Sequence, residues 1–138
     1  MKKNEPVAKV MTKNLTTIHE GEPISKLRRL FEDNKIHHVP VVRGDKLLGI
    51  ISTSDMLRIS FGEFGNQDGR ELDAILDHTY KLEDVMNAAP TTVSSHGTVR
   101  DAAKLLSTGD FHALPVVDGE TLVGIVTSTD LINYLVEL

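Results

Sequence analysis

The stretch Gly49-Ile50-Ile51-Ser52-Thr53-Ser54-Asp55 returns further along the chain as Gly124-Ile125-Val126-Thr127-Ser128-Thr129-Asp130. In each copy a short apolar run of strand length ends at a hydroxyl residue, and a carboxylate follows three positions later as a helical pattern begins. A hydroxyl residue at that place caps a helix, and the acid three positions on completes a reciprocal box and suits the positive end of the helix dipole. The same geometry also suits a ligand. Free N–H groups at a helix start and neighbouring hydroxyls donate to phosphate, and a carboxylate accepts from a pair of sugar hydroxyls. Local sequence supports both readings, and their recurrence favours neither, since duplication copies structural features too.

Outward from this stretch the repetition continues. Val10-Met11 falls on Val85-Met86, an offset of 75 residues, and the register holds without a gap through Leu57. Thr16-Thr17 lands on Thr91-Thr92, His37 on His112, Pro40-Val41-Val42 on Pro115-Val116-Val117, and Gly44 on Gly119. A register held over so long a span marks an internal duplication. Each copy reads as strand, helix, strand, strand, helix. Leu15–Ile18 and Thr91–Val93 are short β-prone pieces. Pro23 suits a first helical turn, and Thr98 with Asp101 has capping-box spacing. Ile24, Leu27, Leu30 and Phe31 recur at helical spacing, as do Val99, Ala102, Leu105 and Leu106. The apolar runs Val39–Val42 and Leu47–Ile51 are joined through Gly44, and Leu114–Val117 and Leu122–Val126 through Gly119, the pattern of tight hairpins. These runs are apolar on both sides, so both faces of the sheet are expected to be covered. Ser60–Lys81 has no partner in the register; it begins as a Gly-rich polar linker, Phe61 to Gly69, and Arg70–His78 has the pattern of a short helix. A repeat this small cannot bury its apolar faces alone, whereas two packed about a pseudo-twofold axis can.

Composition narrows the function. The chain has 138 residues, 40% hydrophobic and 25% charged, with no tryptophan, so Val, Ile, Leu and Ala must build the core. A formal net charge of -5 argues against nucleic acid as the main partner, because the phosphate backbone calls for clustered cations. With no cysteine there is no disulfide, thiolate nucleophile or Cys-based zinc site. No apolar run is long enough to cross a bilayer, and Asn4-Glu5-Pro6 stands where a signal peptide needs apolar residues, so a cytoplasmic location is expected.

The His-x-h-Pro-h-h run, the Gly-bearing hairpin and the Gly-h-h-Ser/Thr-x-Ser/Thr-Asp ending, where h is apolar, resemble the CBS domain, present twice from about Val7 to Tyr134. The resemblance implies an α+β fold of two tandem β-α-β-β-α repeats, packed through their sheets with pseudo-twofold symmetry. It divides the chain into repeat 7–60, a linker with a short helix at 61–81, and repeat 82–138. It also implies clefts between the repeats that bind an adenosyl compound (AMP, ADP, ATP or S-adenosylmethionine) as a regulatory ligand, with no cofactor required. Carried over by position, Asp55 and Asp130 hold ribose hydroxyls, and Ser52, Ser54, Thr127 and Thr129 face phosphate. Ile36, His37, His38 and Pro40, with Phe111, His112 and Pro115, line the base pocket, and Thr17 and Thr92 lie beside it. The copies differ: Leu15 stands opposite Pro90, and His38 opposite Ala113, so one dominant site is expected.

Each feature also has a plainer reading. His37 and His112 are candidates for phosphate contact or ordinary surface histidines. His37 and His38, adjacent on a strand, would point to opposite faces and not converge on a metal. The last stretch, Leu131–Leu138, and Met56–Phe61 are apolar around most of a helix; the repeats bury them within one chain, or they form a homodimer interface, the preferred reading. Catalysis is not expected, since Asp55 and Asp130 are related by duplication and no Walker-type loop occurs. The expected function is regulatory, a ligand sensor acting on a partner in trans. The alternative is a ligand-free interaction or dimerisation module.

Overall fold

The computed structural model describes residues 4–60 and 68–138. The opening Met1-Lys2-Lys3 and most of the Gly-rich linker, residues 61–67, lie outside the described residues. The fold is α+β. The first repeat supplies β1 (Ile18–His19), α1 (Ile24–Asp33), β2 (His38–Arg43), β3 (Lys46–Ser52) and α2 (Thr53–Ser60). Two helices follow, α3 (Gly69–Thr79) and α4 (Leu82–Val85). The second repeat gives β4 (Val93–Ser94), α5 (Val99–Thr108), β5 (Ala113–Asp118), β6 (Thr121–Thr127) and α6 (Ser128–Val136) in the same order.

The local signals mostly act as expected. Gly44 and Gly119 turn the hairpins at φ 59° and 64°, a left-handed conformation that strains other residues. Thr98 caps α5, its Oγ1 accepting from Asp101 N at 3.1 Å while Asp101 Oδ2 accepts from Thr98 N at 2.9 Å. Two expectations need correction. Pro23 lies outside the first turn of α1; it is the N-cap, with extended φ −76° and ψ 153°, and offers no side-chain bond. The first strands begin later than their β-prone residues suggest. Backbone runs beside a neighbour only where Ile18-His19 pairs in parallel with Val41-Val42, and Val93-Ser94 with Val116-Val117.

The chain forms two compact units that do not follow the repeat boundaries. One comprises Thr16–Gly44 and Leu48–Ala89. Its core gathers Ile18, Ile24, Leu27, Val39, Val41 and Ile51, all fully buried, together with Leu76 and Leu82 from the helices that follow the first repeat. Here α3 lies against α1. Arg28 Nε donates to Asp73 Oδ1 at 2.6 Å and Ser25 N to Asp77 Oδ1 at 2.8 Å, while burial of Leu76 contributes about 2 kcal/mol. Beyond α4, Asn87 exchanges two backbone hydrogen bonds with Ile50, at 2.9 and 3.1 Å. Gly49 permits this crossing, because a Cβ there would sit 2.6 Å from Asn87 O and 2.7 Å from Met86 Sδ.

The other unit comprises the chain up to Leu15, the hairpin tip Asp45–Leu47 and Pro90–Leu138. Val7, Val93, Ala102, Leu114, Val116 and Val126 form its core. A 3-10 turn at Val7–Lys9 leads to Thr12, which exchanges backbone bonds with Ile125 at 2.8 and 3.0 Å. Gly124 repeats the role of Gly49, since a Cβ there would meet Met11 Sδ at 2.6 Å. The hairpin tip joins through Lys46, which pairs antiparallel with Thr121. Among the described residues no helix is long and apolar enough to cross a membrane.

Candidate functional site

In the unit holding Asp55, strand β3 ends at Ser52 and α2 starts at once. Ser52 N and Oγ both donate to Asp55 Oδ2 at 2.9 Å, and Asp55 N donates back to Ser52 Oγ at 3.2 Å. Asp55 Oδ1 accepts from Arg58 Nη2 at 3.0 Å, so both carboxylate oxygens are engaged. The helix start is tied to the entry of β2: His37 O accepts from Thr53 N at 2.8 Å and from Thr53 Oγ1 at 3.1 Å. His37 is therefore held at the start of α2, with Ile36 and His38 flanking it in the chain. Pro40 is buried, Ile36 and His38 are half-buried, and His37 and Ser54 are exposed. Thr17, half-buried, immediately precedes β1.

The unit holding Asp130 repeats this arrangement. Thr127 N donates to Asp130 Oδ2 at 2.9 Å and Asp130 N to Thr127 Oγ1 at 3.1 Å. His112 O accepts from Ser128 N at 3.0 Å and more weakly from Ser128 Oγ at 3.5 Å, holding His112 at the start of α6, while Pro115 pairs further along the strand with Ile125. Thr129 and His112 are exposed, Phe111 and Thr92 half-buried, and Pro115 buried. Position 133 is Asn where the first copy has Arg58, and among the described residues no donor bonds Asp130 Oδ1.

Asp130 borders an open cavity of about 300 Å³. Asn133, Tyr134 and Glu137 continue its wall along α6, and Glu5, Lys9 and Val10 supply the opposite side from around the 3-10 turn. Lys9 Nζ lies 3.4 Å from Glu5 Oε1. Of the residues singled out from the sequence, Asp130 alone lines this hollow; Thr92, Phe111, His112, Pro115, Thr127 and Thr129 do not. The α6 lining was open to discovery, because positions 130, 133, 134 and 137 form one helical stripe. Glu5 and Lys9 gave no such signal, being distant in sequence. Thr53 and Ser128 carry no motif signal in the sequence, yet their hydroxyls tie each helix start to a strand entry.

The expectation that His37 and His38 share a strand is corrected: β2 begins at His38, and His37 precedes it. Among the described residues no three His, Asp or Glu side chains gather as a metal site. The helices that could have been covered within the chain keep exposed apolar residues. On α6, Ile132 is 59%, Leu135 55% and Val136 78% exposed, and on α2 Leu57 is 48% exposed.

The family model for the CBS domain matches residues 7–62 and 82–137. An uncharacterized Methanocaldococcus jannaschii protein is 32% identical over 99% of this chain, which spans 33% of that protein's length. A CBS domain-containing protein of Dictyostelium discoideum is 30% identical over 96% of this chain and 92% of its own length. Among solved structures, CBSX2 of Arabidopsis thaliana in complex with AMP superposes with a TM-score of 0.79 at 26% identity, covering 96% of this chain and 97% of the other. The CBS domain pair of protein MJ0100, in complex with 5′-methylthioadenosine and S-adenosyl-L-methionine, gives a TM-score of 0.74 at 25% identity, covering 94% and 98%.

Proposed function

This chain belongs to the CBS-domain family as a tandem pair, and from that premise we propose that it is a regulatory module that binds an adenosyl ligand at Asp130. The repeats run over 7–60 and 82–138, with 61–81 joining them. One observation carries the reading. Thr127 holds Asp130 through one carboxylate oxygen, and the other, with no donor among the described residues, belongs to a residue bordering a cavity. A carboxylate fixed in this way accepts hydrogen bonds from a ribose hydroxyl pair without reorganising. AMP in CBSX2, and 5′-methylthioadenosine and S-adenosyl-L-methionine in MJ0100, support the ligand class.

The cap and the ligand role are compatible on this reading, since they use different oxygens. Binding regulates only if the ligand favours one packing of the module over another, and a protein partner acting in trans reads that difference. The reaction the partner performs lies outside this chain, which we read as non-enzymatic and cytoplasmic. Thermal unfolding with AMP, ADP, ATP and S-adenosylmethionine tests the reading. A ligand at 100 times its Kd adds about 2.7 kcal/mol of stability. That gain should vanish in Asp130→Ala, and no gain from any of the four would reject it.

A second reading concerns assembly. Ile132, Leu135 and Val136 leave an apolar face on α6 exposed to water, which favours a homodimer joined through it. This reading needs no ligand and is compatible with the first.

A further inference from the structure

The two helix openings are copies in backbone but differ in charge. At Asp55 the position one turn on is Arg58, whose Nη2 holds Oδ1 at 3.0 Å, while Ser52 occupies Oδ2. At Asp130 that position is Asn133, and Oδ1 has no donor among the described residues. The approach differs as well: Lys9, one residue before the matched Val10, stands opposite the acidic Asp84 at the same offset of 75 residues. The Asp130 cavity is thus lined by three carboxylates, Glu5, Asp130 and Glu137, against the single ammonium of Lys9, which already lies 3.4 Å from Glu5.

We propose that the Asp130 cavity selects adenosyl compounds without phosphate, and above all those carrying a cationic sulfonium at the 5′ position. This rests on the reading of Asp130 as the ribose acceptor and adds the identity of the group beyond the ribose. A phosphate entering the cavity brings negative charge to a wall that already carries it, with its one cation committed to Glu5. A sulfonium reverses the sign of that interaction. The wall is open to water, so screening keeps the effect moderate, and each carboxylate changes the sulfonium-to-AMP affinity ratio by about fivefold. Asp55, with both oxygens engaged and Arg58 beside it, does not share the preference.

Calorimetric titration of the full chain with S-adenosylmethionine, the neutral thioether 5′-methylthioadenosine and AMP separates the possibilities. Affinity should fall in that order, with AMP at least about tenfold weaker than the sulfonium. Glu137→Gln, a change at an exposed position, should narrow the sulfonium-to-AMP ratio by about fivefold. AMP binding as tightly as the sulfonium, and lost in Asp130→Asn, would overturn the charge selection while leaving the adenosyl site standing. An unchanged ratio in Glu137→Gln would overturn it equally. If none of the three compounds binds, the adenosyl reading falls and the selection falls with it.

Discussion

Among single residues, the capping carboxylates show how local bonding sets stability. Asp101 is held below its ordinary value near 3.8, first by the backbone N–H of Thr98 and then by the Thr98 hydroxyl. A depressed carboxylate contributes stability above its unfolded value and loses it as pH falls through its folded one. Unfolding midpoints should therefore drop as pH goes below about 4, and less steeply in Asp101→Asn, measured by urea titration at each pH. Thr98→Ala removes the hydroxyl acceptor and should cost about 1 kcal/mol at neutral pH. Gly49 and Gly124 are constrained by space. Alanine at either position drives a Cβ to 2.6 Å from Asn87 O or from Met11 Sδ. Each substitution should cost about 1–3 kcal/mol in the same assay. An effect near zero for Gly49→Ala would mean that the crossing of Asn87 over β3 is loose.

At the level of elements, α3 has no counterpart in the duplication and is fastened to α1 by side chains. Asp73 accepts from Arg28, whose guanidinium is held above its usual range chiefly by that bond. Both side chains are mostly buried, at 18% and 21% exposure, so the pair outweighs a surface ion pair. Asp73→Ala should cost about 1 kcal/mol, and a double-mutant cycle with Arg28→Ala should return most of it as coupling. Much at this scale was legible in the sequence. The Gly44 and Gly119 turns, the Thr98 cap and the helix at Arg70–His78 each rest on chemistry within a few residues. What was not legible depended on partners distant in the chain. Val10-Met11 and Val85-Met86 match in register, yet only the fold reveals that Met11 packs on Gly124 and Met86 on Gly49. For the same reason the sequence reached Asp130 but not Glu5 or Lys9, which meet it only through folding.

For the whole molecule, the unburied apolar stripe of α6 carries the assembly prediction. Replacing Ile132 with Glu on that face should leave folding intact, since the side chain is 59% exposed, and should convert a dimer to a monomer in sedimentation equilibrium. A wild-type chain that sediments as a monomer at all concentrations would remove the dimer reading without touching the ligand site. The site belongs to one compact unit, formed where the start of the chain meets the second repeat. Its chemistry can therefore be followed by signals from that unit. Backbone amide resonances of the labelled protein, recorded during titration with S-adenosylmethionine, give the most direct reading. The account predicts saturable shifts at Thr127–Asp130 and at Glu5, Lys9 and Val10, with Ser52–Asp55 unmoved. Shifts centred on Ser52–Asp55, or none at either helix opening, would contradict it.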